Sequence, residues 1–256
     1  MKSNRDYFRQ DYPDFWLQSM PSRASNHHHV RYQEISLDHL ECFDGCSVLE
    51  CGCGAGELLD RLSVRYPNIR LFGVDLGRES LRWARANLPA GRQFRLVEAD
   101  IMRLPISTNS MDRVLCSSVL FYLRNPVPAV HELIRVLKPG GRFVFDFRPP
   151  WHVTNFSVNL LIRIQRAFGV QKPVYSFLSP SRVDKILGPL PVTYRSRGFF
   201  TFLPTRLPIL GERWGNWVQF SDRLSFNAGM SWGKVLSQKL LVTGTKCTEG
   251  PYTDEF

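Results

Sequence analysis

Between Ser47 and Phe147 the apolar positions alternate between two rhythms, one of short continuous runs and one of helical spacing. Val48-Leu49 ends a first buried run, and Glu57-Leu58-Leu59-Asp60-Arg61-Leu62 opens an amphipathic helix. Ile69 to Asp75 predicts a second strand, and Arg78 to Leu88 a helix with Leu81, Ala84 and Leu88 on one side. Phe94 to Asp100 and Asp112 to Ser117 predict a third and a fourth strand. Ala129 to Leu137 predicts a helix stopped by Lys138-Pro139-Gly140-Gly141, and Arg142 to Phe147 a fifth strand. Strands that alternate with helices in this way build an α/β fold with a doubly wound parallel sheet.

On either side of this region the rhythm changes. Residues 1–44 form an aromatic-rich leader with Tyr7, Phe8, Tyr12, Phe15 and Trp16, then His27-His28-His29, read as a polar loop. Tyr32 to Leu40 has helical spacing, and Asp44-Gly45 closes the leader with a turn. After Pro149-Pro150, Phe156 to Phe168 and Pro180 to Leu187 read as helices, Val192 to Ser196 as a short strand and Gln238 to Lys246 as a final strand. Residues 198–233, rich in Phe, Trp, Gly and Pro, show no periodicity that assigns them. The expected organisation is a lid over 1–44, a ligand-binding core over 45–147, and over 148–256 a substrate-covering region with the last strands of the same sheet.

Composition sets bounds on this picture. No apolar run reaches the roughly 20 residues of a membrane span, and the polar start lacks a signal-peptide core, so the expected location is the cytoplasm. Four of the six cysteines (Cys42, Cys46, Cys51, Cys53) crowd around Gly52, but C-x-C spacing within a glycine turn does not match zinc-ligand pairs. Reduced, packed thiols and no metal are expected. The net charge is +10, unevenly placed: residues 1–147 carry 19 Lys+Arg against 17 Asp+Glu, and residues 148–256 carry 14 against 6. That basic excess suits an anionic small substrate, a membrane surface or nucleic acid, and equally a solvated basic face.

The candidate chemistry lies where the first run meets its helix. Glu50-Cys51-Gly52-Cys53-Gly54-Ala55-Gly56 is a strand-to-helix turn in which glycines allow close approach of a ligand to the main chain. A pyrophosphate-binding turn has G-x-G-x-x-G, whereas the order here is G-x-G-x-G with Glu50 beside it. An acid in that place repels a pyrophosphate and attracts a ligand bearing positive charge, an ammonium or a sulfonium. S-adenosylmethionine fits this better than NAD. Asp75, at the end of the second strand, is placed to accept hydrogen bonds from ribose hydroxyls, and Asp100, at the end of the third, to take an adenine amino group. Leu76 and Ile101 are placed to sandwich the ring. A single strand-ending Asp is usually a cap or turn residue, but two in succession after such a loop are harder to explain that way.

The set Val48 to Gly56, Gly73-Val74-Asp75-Leu76, Glu98-Ala99-Asp100-Ile101, Cys116-Ser117-Ser118-Val119-Leu120 and Arg135 to Gly141 resembles the successive motifs of class I S-adenosylmethionine-dependent methyltransferases, in particular the type 11 or ubiquinone/menaquinone-methylase-like group. The resemblance covers about residues 45–147. It implies a Rossmann-like, seven-stranded, mostly parallel sheet with an antiparallel last strand. It also implies Gly52, Gly54 and Gly56 at the methionine part of the cofactor, Asp75 at the ribose, Asp100 and Ile101 at the adenine, and the Ser117 backbone at the amino group. The implied activity is methyl transfer to a small-molecule acceptor, anionic or lipid- or quinone-like, with S-adenosyl-L-homocysteine as product.

One departure concerns the catalytic base. Many relatives carry a histidine shortly after the fourth strand, where this chain has Val119-Leu120-Phe121-Tyr122. Tyr122 is the remaining candidate there, and His152, past the fifth strand, is a second one whose simpler reading is a surface-loop histidine. His131, inside a helix, reads as structural. The methylated atom and the oligomeric state stay open. An RNA methyltransferase and a non-catalytic cofactor-binding partner are the alternatives. The former lacks the Asn/Asp-Pro-Pro-aromatic run expected after the fourth strand, and the latter is opposed by the intact glycines and acids. The apolar positions Phe156, Val158, Leu160, Leu161, Ile162, Ile164 and Phe168, with Arg163 and Arg166, fit either a packed lid helix or a helix lying on a membrane surface.

Overall fold

In the computed structural model the described residues are Arg9, 27–170, 175–199 and 238–248. The aromatic positions Tyr7 to Trp16 and the unassigned stretch from residue 200 onward lie outside them. The elements run α1 (His27–Asp38), β1 (Ser47–Cys51), α2 (Glu57–Arg65), β2 (Arg70–Asp75), α3 (Arg78–Asn87), β3 (Phe94–Glu98), β4 (Met111–Cys116), a 3₁₀ turn (Leu120–Tyr122), α4 (Val127–Val136), β5 (Leu137–Phe147), α5 (Val153–Ala167), α6 (Pro180–Leu187), β6 (Val192–Phe199) and β7 (Lys239–Lys246).

The strands form one seven-stranded sheet in the order β3-β2-β1-β4-β5-β7-β6. β1 to β5 are mutually parallel, and β7 runs antiparallel to both β5 and β6. The order reverses between β1 and β4, so the loops leaving those two strands diverge and open a crevice at the sheet's C-terminal edge.

Both faces of the sheet are covered, and strand alternation sorts the residues between them. Leu49, Val114, Phe143, Phe145 and Val242 pack with α4 and α6 residues such as Leu133 and Val183. Val48, Leu115, Val144 and Leu241 pack with Tyr32 and Ile35 of α1 and with Leu59 and Leu62 of α2. The N-terminal helix is therefore a wall of the core, built against the strands that bear the crevice.

Three expectations need correction. The backbone of His27-His28-His29 is the first turn of α1 and not a polar loop. Lys138-Pro139-Gly140-Gly141 ends α4 but belongs to β5: Leu137 already pairs with Met111, and the register shift before Arg113 absorbs the extra residues, with Gly140 at φ 76°. The last strand pair is longer than the sequence indicates, because β6 pairs with β7 from Val192 through Phe199.

Candidate functional site

The crevice between β1 and β4 is lined by Glu50, Gly52, Gly54, Asp75, Leu76, Asp100, Ile101, Ser117 and Tyr122, nine of the residues singled out in the sequence. Gly56 and His152 are not among its lining residues. At φ 84° Gly56 caps α2, and a Cβ there would press on Leu88 and Ala84 at 3.2–3.3 Å. His152 is buried at the start of α5 and is not a surface-loop residue.

Four of the loop's amides are used internally. The N–H groups of Gly52 and Cys53 both donate to the Val74 carbonyl, that of Gly56 donates to the Cys53 carbonyl, and that of Gly54 donates to Asp75 Oδ2 at 2.8 Å. A phosphate approaching these four residues finds no free donor, unlike at an anion-binding helix start. Gly52 has φ 75°, and a Cβ on it would overlap the Val119 side chain, so the loop and the segment after β4 touch at glycine distance.

Charge in the crevice is one-sided. Glu50 is buried, and its Oε2 has no hydrogen-bond partner among the described residues. Burial pushes its carboxyl well above the usual carboxylate range, and the nearby Glu57 and Asp75 push the same way. Burial also raises Asp75, against the backbone N–H groups of Gly77, Gly54 and Leu76, which pull it down. Asp75 Oδ1 accepts the Gly77 N–H at 2.7 Å, so each carboxylate oxygen already holds one main-chain donor and is oriented by it. A buried, partner-poor carboxylate beside a second one is a place for a cation. Donors, acids and glycines together fit an adenosyl ligand carrying an ammonium and a sulfonium.

Asp100 orders its own turn: Oδ1 accepts the Met102 N–H at 3.0 Å. Leu76 and Ile101 each follow one of the two acids and line the crevice with Ala99; Asp75 ends β2 as expected, whereas β3 stops at Glu98 and Asp100 stands in the turn beyond it. On the opposite side, Ser118 has φ 62°, a left-handed conformation that a serine rarely adopts. It is held there by Asp146 Oδ1, which accepts the Ser118 N–H at 2.7 Å, and by Lys239 Nζ, which donates to Ser118 Oγ at 2.6 Å. Lys239 also pairs with Asp146 Oδ2 at 3.1 Å and lies 3.8 Å from the centre of the Tyr32 ring. β4, β5, β7 and α1 thus meet in one buried cluster behind the crevice wall.

Tyr122 sits at the outer end, at the close of the 3₁₀ turn. Its ring is 4.2 Å from Phe121 and 5.2 Å from Tyr175, centre to centre. The Ser176 N–H donates to the Phe121 carbonyl, which ties the segment after α5 to this turn. Sequence reasoning missed Gln33, Ser118 and Val119 as crevice residues. The one available signal was the lone acid Asp146 in Phe143-Val144-Phe145-Asp146-Phe147, since a charge in a buried strand near its C-terminal end needs a partner.

The thiols are free, four of them fully packed, and burial raises those of Cys51, Cys53 and Cys116. A hydrogen bond from Cys42 lowers the Cys46 thiol below the usual range.

Comparison with known proteins gives a consistent family. Residues 49–145 match the family model described as "Methyltransferase domain". The ubiquinone/menaquinone biosynthesis C-methyltransferase UbiE of Syntrophotalea carbinolica is 33% identical over 125 residues, covering 47% of this chain and 52% of that one. The malonyl-[acyl-carrier protein] O-methyltransferase of Hahella chejuensis is 31% identical over 120 residues, 43% of each chain. This chain spans between 35% and 52% of the length of such curated relatives. Among solved structures, a chain of the complex between the Haloferax volcanii Trm112 methyltransferase activator and the putative methyltransferase superposes with TM-score 0.66 at 20% identity, covering 98% of this chain and all of that one. The magnesium protoporphyrin IX methyltransferase of Synechocystis, with bound SAH, gives TM-score 0.60 at 16% identity, covering 94% and 97%.

Proposed function

Because this chain carries a class I S-adenosylmethionine-dependent methyltransferase domain, we propose that it is an enzyme that transfers the methyl group to a small-molecule acceptor at the crevice between β1 and β4. The observation that carries the reading is Glu50, a buried acid with an unpartnered oxygen beside a loop in which the amides of Gly52, Cys53, Gly54 and Gly56 are occupied. When bound, S-adenosylmethionine supplies a methyl group already activated on a sulfonium.

The chain's residues then have separate tasks. Glu50 balances the ligand's positive charge, and Asp75, fixed by Gly54 and Gly77, offers its remaining lone pairs to ribose hydroxyls. Leu76 and Ile101 flank the adenine, with Asp100 at its edge. The left-handed Ser118 turns the main chain after Ser117 toward the amino group. Tyr122 and Tyr175 form the acceptor-side wall, where a flat, quinone-like molecule or the apolar part of a lipid finds aromatic surface.

A strong base is not required. Orientation alone lowers a barrier by about 7–11 kcal/mol, against roughly 3–5 kcal/mol from a general base. The Tyr122 hydroxyl is the proton-handling group nearest that wall in this reading, and the buried His152, off the crevice, has no such role. Native mass spectrometry of the purified protein tests the proposal. Retention of S-adenosylmethionine or S-adenosylhomocysteine is expected, and a protein that holds neither after saturation with both contradicts it.

A further inference from the structure

Helix α5 is amphipathic in the wrong direction for a helix that only packs on its own core. Its inward row is Asn155, Asn159, Ile162 and Arg166, of which Asn155 is 2% exposed and bonded through Nδ2 to the carbonyls of Pro149 and Gln238 at 2.8 and 2.9 Å. The outward row is Phe156, Leu160 and Ile164, continued by Phe168 just past the helix end, at the spacing of one helical face. Phe156 is 64% exposed and Phe168 83%; Leu161 flanks the row, and Trp151, 66% exposed, stands before the helix. Ile162, counted with this stripe in the sequence, turns inward.

We propose that this outward face docks on an anionic phospholipid surface. Its charge selects that occupant. From Asp146 to Asp184 the chain carries five Lys and Arg residues with no intervening Asp or Glu; of these Arg163 is exposed on α5 and Arg182 on α6, whereas Arg148 stacks on the Phe121 ring and Arg166 lies in the inward row. An apolar stripe with a tryptophan at its start and the exposed Arg163 on its flank suits the boundary between acyl chains and anionic headgroups. A second copy of the chain, brought to the same face by a two-fold axis, would set Arg163 toward its own counterpart, like charge against like charge, and no acid of α5 itself would pair them. No helix of the described residues is long and apolar enough to cross a membrane, so the contact is peripheral. Docking in this way also sets the acceptor wall near the lipid, since the segment after α5 leads to Tyr175 and its contact with Tyr122.

The test is flotation of the full chain with vesicles of phosphatidylcholine alone or with phosphatidylglycerol added, comparing wild type, Phe156→Glu/Phe168→Glu and the control Val64→Glu. Val64 is 72% exposed on α2, away from the patch, so it carries the same kind of charge change elsewhere. Wild type and the control are expected to float with the anionic vesicles and the double variant to lose at least about tenfold in recovery. All three should melt at the same temperature, because both substituted phenylalanines point outward. Absence of wild-type flotation overturns the proposal, whether sizing then shows a dimer that the double variant disperses or a monomer whose stripe other parts of the chain cover. Equal flotation of wild type and double variant overturns it too, as does flotation indifferent to vesicle charge. None of these readouts depends on bound cofactor or on methyl transfer.

Discussion

Gly54 and Asp75, 21 residues apart, are joined by one hydrogen bond: the Gly54 N–H donates to Asp75 Oδ2 at 2.8 Å, so the residue proposed for the ribose also fixes the loop proposed for the methionine part. Loss of that carboxylate therefore has two effects. Asp75→Ala leaves the amides of Gly54 and Gly77 without their acceptor and is expected to cost about 1–3 kcal/mol in urea unfolding, besides abolishing cofactor binding. Asp75→Asn presents an amide N–H where two donors need acceptors, so it is expected to lose binding as well. Unchanged unfolding of both variants would separate Asp75 from the loop.

Glu50 makes stability and binding move in opposite directions. Its folded-state pKa is raised by burial, so the native protein holds this proton more tightly than the unfolded chain does. Between the ordinary carboxylate pKa and the raised one, unfolding releases that proton, and the contribution of Glu50 to stability falls as pH rises. Glu50→Gln is thus expected to match wild type near pH 4 and to melt higher as pH increases toward 8, while binding S-adenosylmethionine more weakly. Melting curves across that range, each with and without ligand, check both signs. A variant that melts lower than wild type at every pH contradicts the assignment.

Gly52 and Gly45 share a positive φ, 75° and 78°, but only Gly52 has a neighbour in the way. Alanine at Gly45 is expected to cost the backbone strain alone, about 1–2 kcal/mol. At Gly52 it adds the overlap with Val119, and Gly52→Ala/Val119→Ala is expected to recover that excess. Thermal unfolding of the three variants measures the difference. Equal costs at the two glycines would show that the loop and the segment after β4 are not in close contact.

Lys239 and Asp146 are a buried ion pair that holds the strained Ser118. Removal of one partner leaves the other charge uncompensated, and Lys239→Met is expected to lose about 3–5 kcal/mol. Lys239→Met/Asp146→Asn keeps an oxygen for the Ser118 N–H without the stranded charge and should lose less. Denaturant midpoints of the two variants decide it, and a double variant as unstable as the single one would contradict the pairing.

The sheet was legible in the sequence because β1 to β5 are short apolar runs separated by periodic helices, and the crevice because Asp75, which ends β2, and Asp100, two residues past β3, follow the glycine loop in order. Its deeper wall was not. Tyr32, Asp146 and Lys239 come from three distant segments, and no local periodicity signals that they meet. Gly56 looked like its neighbours in spacing, yet its glycine answers to a φ of 84° at the start of α2 and to the approach of Ala84 of α3 and Leu88 just past it. The direction of α5 was hidden as well. Its apolar stripe is plain in the sequence, but its outward orientation comes from Asn155 docking on the carbonyls of Pro149 and Gln238.

The most direct measurement is calorimetric titration of the purified chain with S-adenosylhomocysteine, with NAD as the competing ligand. A saturable heat at a dissociation constant on the order of micromolar is expected, lost in Asp75→Ala, with no heat from NAD. Binding of NAD and none of S-adenosylhomocysteine would contradict the assignment of the crevice.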